Sequence, residues 1–469
     1  MEEGLLAKAE QPRRLAEEVK KTCYIALPMV VVTVSQNLLR VASMSMVGHL
    51  GEVELAGTAV ATCLTNVTGF SLLFGMACAL ETLCGQAYGA KQYKRVGTYT
   101  YGAMICLLFI CFPISLLWIY IDQILIFLGQ DPLISAEARK FSVWLIPTLF
   151  PYAILQLIVR YLQSQSLIFP MLWSSVIVLM FHVPICWGLV FHLGLGTAGA
   201  AIAIGTSYTF NVIILGLYLY RSKACEKTRV TCSGDVIPSI KEFLRLAVPS
   251  TIMICLEWWS YEIVVLLSGL LPNPQLETSV LSICTTVSTL HYYIPYSFGA
   301  AASTRISNEL GAGNPEAAKT ALLAVSALGV VEVIIATATL FSSRSILGYA
   351  FGNERELVDY VKDIVPLLCF TIFADTIQNV LSGVARGSGW QDIGAYVNLG
   401  SYYLAGIPMA LVMGFVLQLK GKGLWGGLII GSNVQCVLLT LVTCFTNWEK
   451  QATKARERIF EKTSIDDAE

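Results

Sequence analysis

The sequence predicts an all-α integral membrane protein with twelve transmembrane helices in two homologous six-helix lobes. Three observations support this fold class. Only 13% of the 469 residues are charged, against about a quarter in soluble domains. Apolar stretches of roughly 20 residues, the length that crosses a bilayer, follow one another along the chain. Motifs of the first half recur in the second half at a nearly constant separation.

The predicted membrane helices follow a charged segment at residues 1–21, which lacks the apolar core of a signal peptide. The charge-free run from 161 to 220 is too long for one span, and Gly194, Gly196 and Gly199 divide it. We place the helices at residues 22–46, 55–80, 96–121, 139–161, 170–191, 197–220, 244–268, 278–303, 319–341, 359–385, 393–417 and 423–447.

Lysine and arginine are concentrated in the connections on the side of the N-terminus. These include Lys91, Arg160, Arg221, Arg305, Arg386 and the tail from Lys450, whereas the opposite side has few, such as Arg139, Arg344 and Lys420. Because positively charged connections stay in the cytosol, both termini are predicted to be cytosolic.

The two halves repeat one another in a fixed order. Pro28 and Pro249 are 221 residues apart. Later pairs drift slowly from this separation, namely Gly89-Ala90 with Gly311-Ala312, 128–131 with 351–354, Pro184 with Pro408, and Gly199 with Gly426. This predicts an N-lobe at 22–220, a cytosolic linker at 221–241, a C-lobe at 242–448 and a cytosolic tail at 449–469. Because each half has an even number of helices, we expect parallel repeats with a site near the bilayer midplane.

Three carboxylates interrupt apolar helices. Glu257 and Glu262 lie in the predicted seventh helix and Asp375 in the tenth. Such residues are costly in a membrane and mark functional sites. Glu257 and Glu262 are about 140° apart around a helix, so we place Glu257 beside Asp375 and Glu262 on an adjacent wall. Gln378 and Asn379 share a helix face with Asp375.

Two buried carboxylates suit an exchange of protons for cations. Burial favours the neutral form of a carboxyl group, and a second carboxylate favours it further. Such a pair titrates as a unit, and a cationic substrate competes with the proton for its charge. The neighbouring aromatic residues are predicted to offer cation–π contacts of about 2 kcal/mol, and they are Trp258, Tyr261, Tyr292 and Tyr293. Trp258 and Trp259 are adjacent, so at most one of them faces the substrate.

Pro28 and Pro249 are predicted hinges, because proline lacks the N–H that completes a helical hydrogen bond. Other polar groups receive a structural interpretation. Glu81 and Glu332 are predicted packing or interfacial acids, and His182, His192 and His291 are predicted hydrogen-bonded or interfacial groups. The cysteines lie mostly in apolar runs, so neither a disulfide framework nor a metal site is expected, and no cofactor is predicted. The net charge of −1 argues against nucleic-acid binding.

Three motifs resemble the multidrug and toxic compound extrusion (MATE) family, in its eukaryotic, plant-like branch. They are residues 85–90 (GQAYGA), 305–313 (RISNELGAG) and 257–262 (EWWSYE). The resemblance covers about residues 20–448. It implies two six-helix lobes around a central cavity and alternating access driven by a proton or sodium gradient. It also implies a cation site in the second lobe, where Glu257, Glu262 and Asp375 match. Some prokaryotic members use an aspartate in the first helix, where this chain has Gln36 and Asn37, so Asn37 is assigned to the substrate cavity instead.

The resulting prediction is a monomeric secondary antiporter, not an enzyme, in the plasma or vacuolar membrane. It exports organic cations, xenobiotics or secondary metabolites in exchange for protons or sodium. A lipid-linked oligosaccharide flippase is an alternative, but it would need a cationic cavity for phosphate, whereas the buried charges expected here are mostly acidic apart from Arg40. A membrane enzyme or a receptor is a further alternative. The sequence offers an enzyme no clustered metal ligands and no nucleophile motif, and the internal duplication favours a transporter over a receptor.

Overall fold

The computed structural model describes residues 2–229, 236–351 and 355–460, with residues 2–11 and 274 described by their backbone alone. Within these ranges the chain is helical and contains no strand. Three predicted features lie partly outside the described residues. They are the repeat match at 352–354, the linker at 230–235 and the tail from 461 onward.

The main helices follow the predicted order. They are α1 Glu2–Gly48, α2 Glu52–Gly89, α3 Tyr93–Ile119, α4 Pro132–Ser164, α5 Phe169–His192, α6 Gly196–Arg221, α7 Val236–Ser268, α8 Pro274–Gly311, α9 Pro315–Ser342, α10 Arg355–Ser388, α11 Gln391–Val416, α12 Lys420–Cys444 and α13 Trp448–Phe460. Short segments at Ile121–Phe127, Lys223–Cys225, Arg344–Leu347 and Gly348–Ala350 join some of them.

Helices α1 to α12 coincide with the twelve predicted segments, so the predicted fold class is confirmed. Eleven of them are long and apolar enough to cross a membrane by length and composition. The remaining one, α8, has 38 residues, which is ample length at about 1.5 Å per residue. Its polar residues lower its hydropathy, and they include Glu277, His291 and Arg305.

Several helices extend beyond the apolar stretches from which they were predicted. Helix α7 begins at Val236 rather than 244, and α1 includes most of the charged lead-in. Helix α4 begins at Pro132, where the Asp131 carboxylate accepts hydrogen bonds from the backbone N–H groups of Leu133 and Ile134 at 2.8 and 3.2 Å. Such a cap satisfies orphan donors of the first turn. Hydropathy detects only the part of a helix that lies in hydrocarbon.

Wide, π-helical turns interrupt some helices. They occur at Asn66–Phe70 in α2, Gly188–His192 in α5, and Leu399–Gly406 and Val412–Val416 in α11. A π-helical turn takes an extra residue and re-aims the side chains that follow it, and such turns are frequent at functional sites.

By packing, the described chain divides into two compact units. The first unit is Leu27–Thr251, and the second runs from Ile252 onward together with the described residues up to Ala26. The boundaries therefore fall inside α1 and α7, a few residues from Pro28 and Pro249. The lobe boundaries expected from the sequence stay a prediction.

An ion pair explains why the start of α1 belongs to the second unit. Glu18 is buried and accepts from Arg305 of α8, with Nε–Oε1 2.5 Å and Nη2–Oε2 3.1 Å. Glu309, one turn later in α8, accepts from the same guanidinium at 2.6 Å. Two carboxylates in hydrogen-bonding contact offset the cost of burying the charge.

Glycine allows α8 and α10 to pack backbone against backbone. A Cβ added at Gly383 of α10 would collide with the backbone of Gly299 in α8, and one at Gly299 would meet the carbonyl of Asn379. Small residues at such crossings are typical of membrane helices. Near this crossing, His291 of α8 lies within electrostatic reach of Asp375 in α10.

The first unit has its own core, in which aromatic rings meet edge to face. Phe70 lies 5.6 Å from Trp118 and 4.8 Å from Tyr152, measured between ring centroids. The indole N–H of Trp118, which is fully buried, donates to the Thr68 hydroxyl at 3.0 Å. The polar atom of this large side chain is therefore satisfied inside the core.

Candidate functional site

The two carboxylates expected to form the site are both buried in the second unit. Glu257 of α7 is 8% exposed and Asp375 of α10 is 6% exposed. They lie close enough for their charges to interact. Because a buried polar group needs partners, the contacts of each carboxylate define the site.

Side-chain amides surround Glu257. Gln378 of α10 donates to Oε2 of Glu257 at 2.7 Å, and Asn398 of α11 donates to the same oxygen at 3.5 Å. Asn398 also donates to the backbone carbonyl of Met253 in α7 at 2.7 Å. The carboxylate of α7 is thus joined to two other helices.

The hydrogen-bonded cluster continues into α12. Gln435 donates to Oδ1 of Asn398 at 2.7 Å, and the Tyr402 hydroxyl donates to Oε1 of Gln435 at 2.8 Å. Tyr402 belongs to the wide-turn stretch of α11 and is 1% exposed. This Glu257 cluster, comprising Glu257, Gln378, Asn398, Gln435 and Tyr402, therefore links α7, α10, α11 and α12.

Asp375 has a separate hydroxyl donor. Tyr261 of α7 donates to Oδ1 of Asp375 at 3.2 Å. Asn379, predicted to share the polar face, instead donates its amide to the Asp375 backbone carbonyl at 2.9 Å. Of the two amides expected on this face, Gln378 therefore reaches across to α7, whereas Asn379 turns back onto its own helix.

Aromatic residues flank the two carboxylates in two groups. In one group Trp258 meets Tyr292 of α8 at 6.4 Å between ring centroids, and Tyr292 contacts Tyr293 at 5.9 Å and stacks on Tyr296 at 5.7 Å. In the other group Tyr261 lies 6.5 Å from Tyr402 and 6.2 Å from Trp425.

The remaining predicted residues occupy less central positions. Glu262 and Trp259 are half-buried in α7. The buried indole Nε1 of Trp259 has no hydrogen-bond partner within the part of the chain that the structure describes. Asn37 and Pro28 are half-buried in the α1 portion of the first unit, and Pro249 is half-buried in α7.

Sequence reasoning missed Asn398, Tyr402 and Gln435. All three are buried polar residues in otherwise apolar helices, the same signal that identified Glu257. That signal is weaker for neutral amides, because their cost in hydrocarbon is smaller than that of a charge.

Two arginines were placed wrongly from the sequence. Arg160 and Arg386, counted among the cytosolic connections, are only 1% and 4% exposed. Arg160 pairs with Glu81 of α2, at 3.0 Å between Nε and Oε1, and lies 4.9 Å from the Phe74 ring centroid. Arg386 lies over the ring of Tyr296 at 5.7 Å. Buried arginine is stable where a carboxylate or an aromatic face replaces its hydration.

The histidines expected to be hydrogen-bonded include two with well-defined partners. His182 in the first unit lies between the hydroxyls of Ser43 and Ser207, at 3.0 and 2.8 Å. His291 in the second unit contacts Glu332 of α9 at 2.9 Å.

Known proteins resemble this chain along most of its length. The MatE family model matches residues 28–188 and 249–412. Protein DETOXIFICATION 14 of Arabidopsis thaliana is 54% identical over 442 residues, covering 94% of this chain and 91% of that protein. Protein DETOXIFICATION 8 of the same plant is 53% identical over 445 residues, covering 95% and 92%.

Solved structures agree with these relationships. The crystal structure of the eukaryotic MATE transporter AtDTX14 superposes with a TM-score of 0.92 at 54% identity, covering 95% of this chain and 100% of that chain. The bent form of the Vibrio cholerae MATE transporter VcmN gives a TM-score of 0.80 at 14% identity, covering 95% and 99%. The latter likeness shows the fold alone.

Proposed function

This chain belongs to the MATE family of multi-pass membrane transporters, and we propose that it exports organic cations, xenobiotics or secondary metabolites in exchange for protons. The family confirms that the chain is not an enzyme and that its substrates are small molecules. The exchanged ion, the substrates and the residues that bind them belong to the proposal.

The observation that carries the proposal is the burial of Glu257 and Asp375 in adjoining polar clusters. Two carboxylates inside one bundle of membrane helices are costly, and apolar residues would pack the same helices at lower cost. Their retention is expected where a charge must appear and disappear during each cycle.

The cluster suits both charge states of Glu257. Its amide partners, Gln378 and Asn398, donate N–H groups to the ionised carboxylate, and an amide also has a carbonyl that can accept from a protonated one. A proton can therefore be gained or lost without leaving the carboxyl group unsatisfied.

The same contacts favour protons over sodium. A sodium ion needs several oxygen ligands, because hard cations bind carboxylate, carbonyl and hydroxyl oxygens. Both amide contacts to Glu257 direct N–H groups at its Oε2. These donors compete with a metal cation for the lone pairs that it would need.

Aromatic side chains near the carboxylates supply the surface for an organic cation. Trp258, Tyr292 and Tyr293 form one such group beside Glu257. A cation held over these rings gains about 2 kcal/mol when it is desolvated. Glu262 is assigned to the adjacent wall, and Asn37 of α1 stays a predicted substrate-contacting residue.

Pro28 and Pro249 are assigned as hinges of alternating access. The chain passes from one compact unit to the other a few residues from each of them. A proline inside a helix lacks one hydrogen bond, so bending there costs less than elsewhere. We further propose a monomer in the plasma or vacuolar membrane with both termini cytosolic.

Gradient-driven transport tests the proposal. The purified full chain, reconstituted in liposomes, is given ethidium under a pH gradient and, separately, under a sodium gradient at equal pH. We expect the pH gradient alone to drive accumulation, with collapse on addition of a protonophore. Accumulation under the sodium gradient alone would identify sodium, and not the proton, as the exchanged ion. Transport under neither gradient would contradict antiport.

A further inference from the structure

A second buried pair of titratable groups lies beside the Glu257 cluster. His291 of α8 and Glu332 of α9 are in contact at 2.9 Å between Nε2 and Oε1, and their side chains are 8% and 9% exposed. On either side of Glu332, Val331 and Ile335 are 55% and 61% exposed on the apolar outer surface of α9. A carboxylate this close to hydrocarbon is expensive, so the pair calls for an explanation.

Each oxygen of Glu332 has a hydrogen-bonding partner. His291 reaches Oε1, and the Thr376 hydroxyl of α10 reaches Oε2 at 2.8 Å while also lying 3.0 Å from the carbonyl of Ile372. An ionised carboxylate is an acceptor on both oxygens. With Glu332 ionised, Nε2 of His291 is the nitrogen that carries the hydrogen in this contact, because the partner of one ring nitrogen determines which nitrogen carries the proton.

The other ring nitrogen is left available. Nδ1 of His291 is buried and has no hydrogen-bond partner within the described ranges. Among the described residues, the charged groups shown to interact with His291 are Glu332 from α9, which contacts it, and Asp375 from α10, which is within electrostatic reach. The charged groups that interact with the next residue, Tyr292, include Glu257 from α7 and Arg386 from α10.

Thr376, which contacts Glu332, directly follows Asp375 in α10. The His291–Glu332 pair is therefore connected to the residue next to the coupling carboxylate. We propose that His291 exchanges a proton with Asp375 through Nδ1, while Glu332 and Thr376 hold the imidazole in place. The inference rests on the proposed function, because it takes Asp375 as a coupling residue and adds the group that supplies and receives its proton.

The transfer is balanced in charge. Nδ1 and Asp375 are not in direct hydrogen-bonding contact, so one water bridges them in the transfer. The N–H bond at Nδ1 breaks and its electron pair stays on nitrogen; the proton bonds to the water, which gives one of its own protons to a carboxylate oxygen of Asp375. The imidazolium becomes neutral imidazole and Asp375 becomes neutral, while Glu332 stays ionised. The summed charge of the three groups is unchanged.

Two assays on the reconstituted full chain test the role of His291. One measures ethidium accumulation driven by a pH gradient, and the other measures exchange of ethidium across the membrane without a gradient. For His291→Gln we expect gradient-driven accumulation to fall about a hundredfold, the lower end for loss of a proton-transfer group, with exchange unchanged. His49→Gln, at an exposed histidine bonded to the Ser45 carbonyl, is the matched control and should match the wild type.

Other results overturn the inference. Wild-type accumulation in His291→Gln would remove the proton-transfer role, and equal loss in both assays would make His291 a packing residue. Should His291→Gln fail to fold, Glu332→Gln serves instead. We expect that variant to move the pH profile of driven accumulation to lower pH, since the imidazolium loses its counter-charge, and an unmoved profile would contradict the inference.

Asp375→Asn separates this inference from the proposed function. If Asp375→Asn loses driven accumulation while His291→Gln retains it, the role of His291 fails and the antiport proposal stands. If Asp375→Asn retains driven accumulation, the coupling role of Asp375 fails, and the role of His291 fails with it.

Discussion

Gln378 Nε2 lies 2.7 Å from Glu257 Oε2 and joins α10 to α7 at a buried carboxylate. Gln378 sits one helical turn after Asp375, so a single face of α10 serves both acids. The same amide lies 3.1 Å from the Ser382 hydroxyl. The position of Glu257 relative to Asp375 therefore depends on Gln378.

Replacing Gln378 by leucine is expected to destabilise the protein. The change removes a hydrogen bond to a charged group, worth about 1.5–3 kcal/mol, and lowers the melting temperature of the purified protein. Asn433→Leu is the control, because Asn433 is exposed and its amide donates to the Ile429 carbonyl of its own helix. Equal melting temperatures for Gln378→Leu and the wild type would show that the Gln378–Glu257 hydrogen bond does not stabilise the protein.

Pro249→Ala and Pro28→Ala are each expected to slow transport. Alanine restores the backbone N–H and so makes the helix harder to bend. We expect a lower maximal rate of gradient-driven ethidium transport in each variant, with little change in melting temperature. Pro315→Ala, at the first turn of α9 where proline is well tolerated, is the control. Wild-type rates in both hinge variants would contradict the hinge assignment.

The Glu81–Arg160 pair of the first unit should behave as a coupled unit. Arg160→Met leaves Glu81 buried without its cation, which costs about 3–5 kcal/mol. The double variant Glu81→Leu with Arg160→Met should recover much of that loss, since no charge then remains. The measurement is the melting temperature of the two single variants and the double variant. Additive losses in the double variant would show that the two charges act independently.

Trp258→Ala is expected to weaken binding of a cationic substrate. Loss of a desolvated cation–π contact of about 2 kcal/mol corresponds to roughly a thirtyfold rise in the concentration for half-maximal transport. Trp258→Phe should give a half-maximal concentration between those of the wild type and Trp258→Ala, because phenylalanine keeps a weaker aromatic face. Trp259→Ala distinguishes the adjacent tryptophans. A larger effect at Trp259 than at Trp258 would exchange their assignments.

The sequence was sufficient for the helices because their signal is local. An apolar run of about 20 residues specifies a membrane helix wherever it packs, and Glu257 and Asp375 stood out as acids within such runs. Helix ends were less predictable, since charged residues near the starts of α7 and α4 separate the first turn of each helix from its apolar stretch. Arg160 was misplaced for a related reason. In the sequence, an arginine that is neutralised by a distant residue cannot be distinguished from an arginine in a connection between helices.

The partners of Glu257 could not be derived from the sequence. Asn398 and Gln435 reach the site only because particular faces of α11 and α12 meet α7. Tyr402 lies in a wide-turn stretch of α11, which shifts side chains away from the regular helical period. These contacts depend on tertiary packing, to which a single sequence without its fold gives no direct access.

The central claim is that Glu257 and Asp375 carry the exchanged proton. The most direct test is proton release by the purified protein when ethidium binds, followed with a pH indicator in weakly buffered solution. We expect the wild type and the control Glu316→Gln, at an exposed residue, to release protons on binding. Glu257→Gln and Asp375→Asn should bind ethidium with little or no release. Undiminished release from both variants would contradict the account.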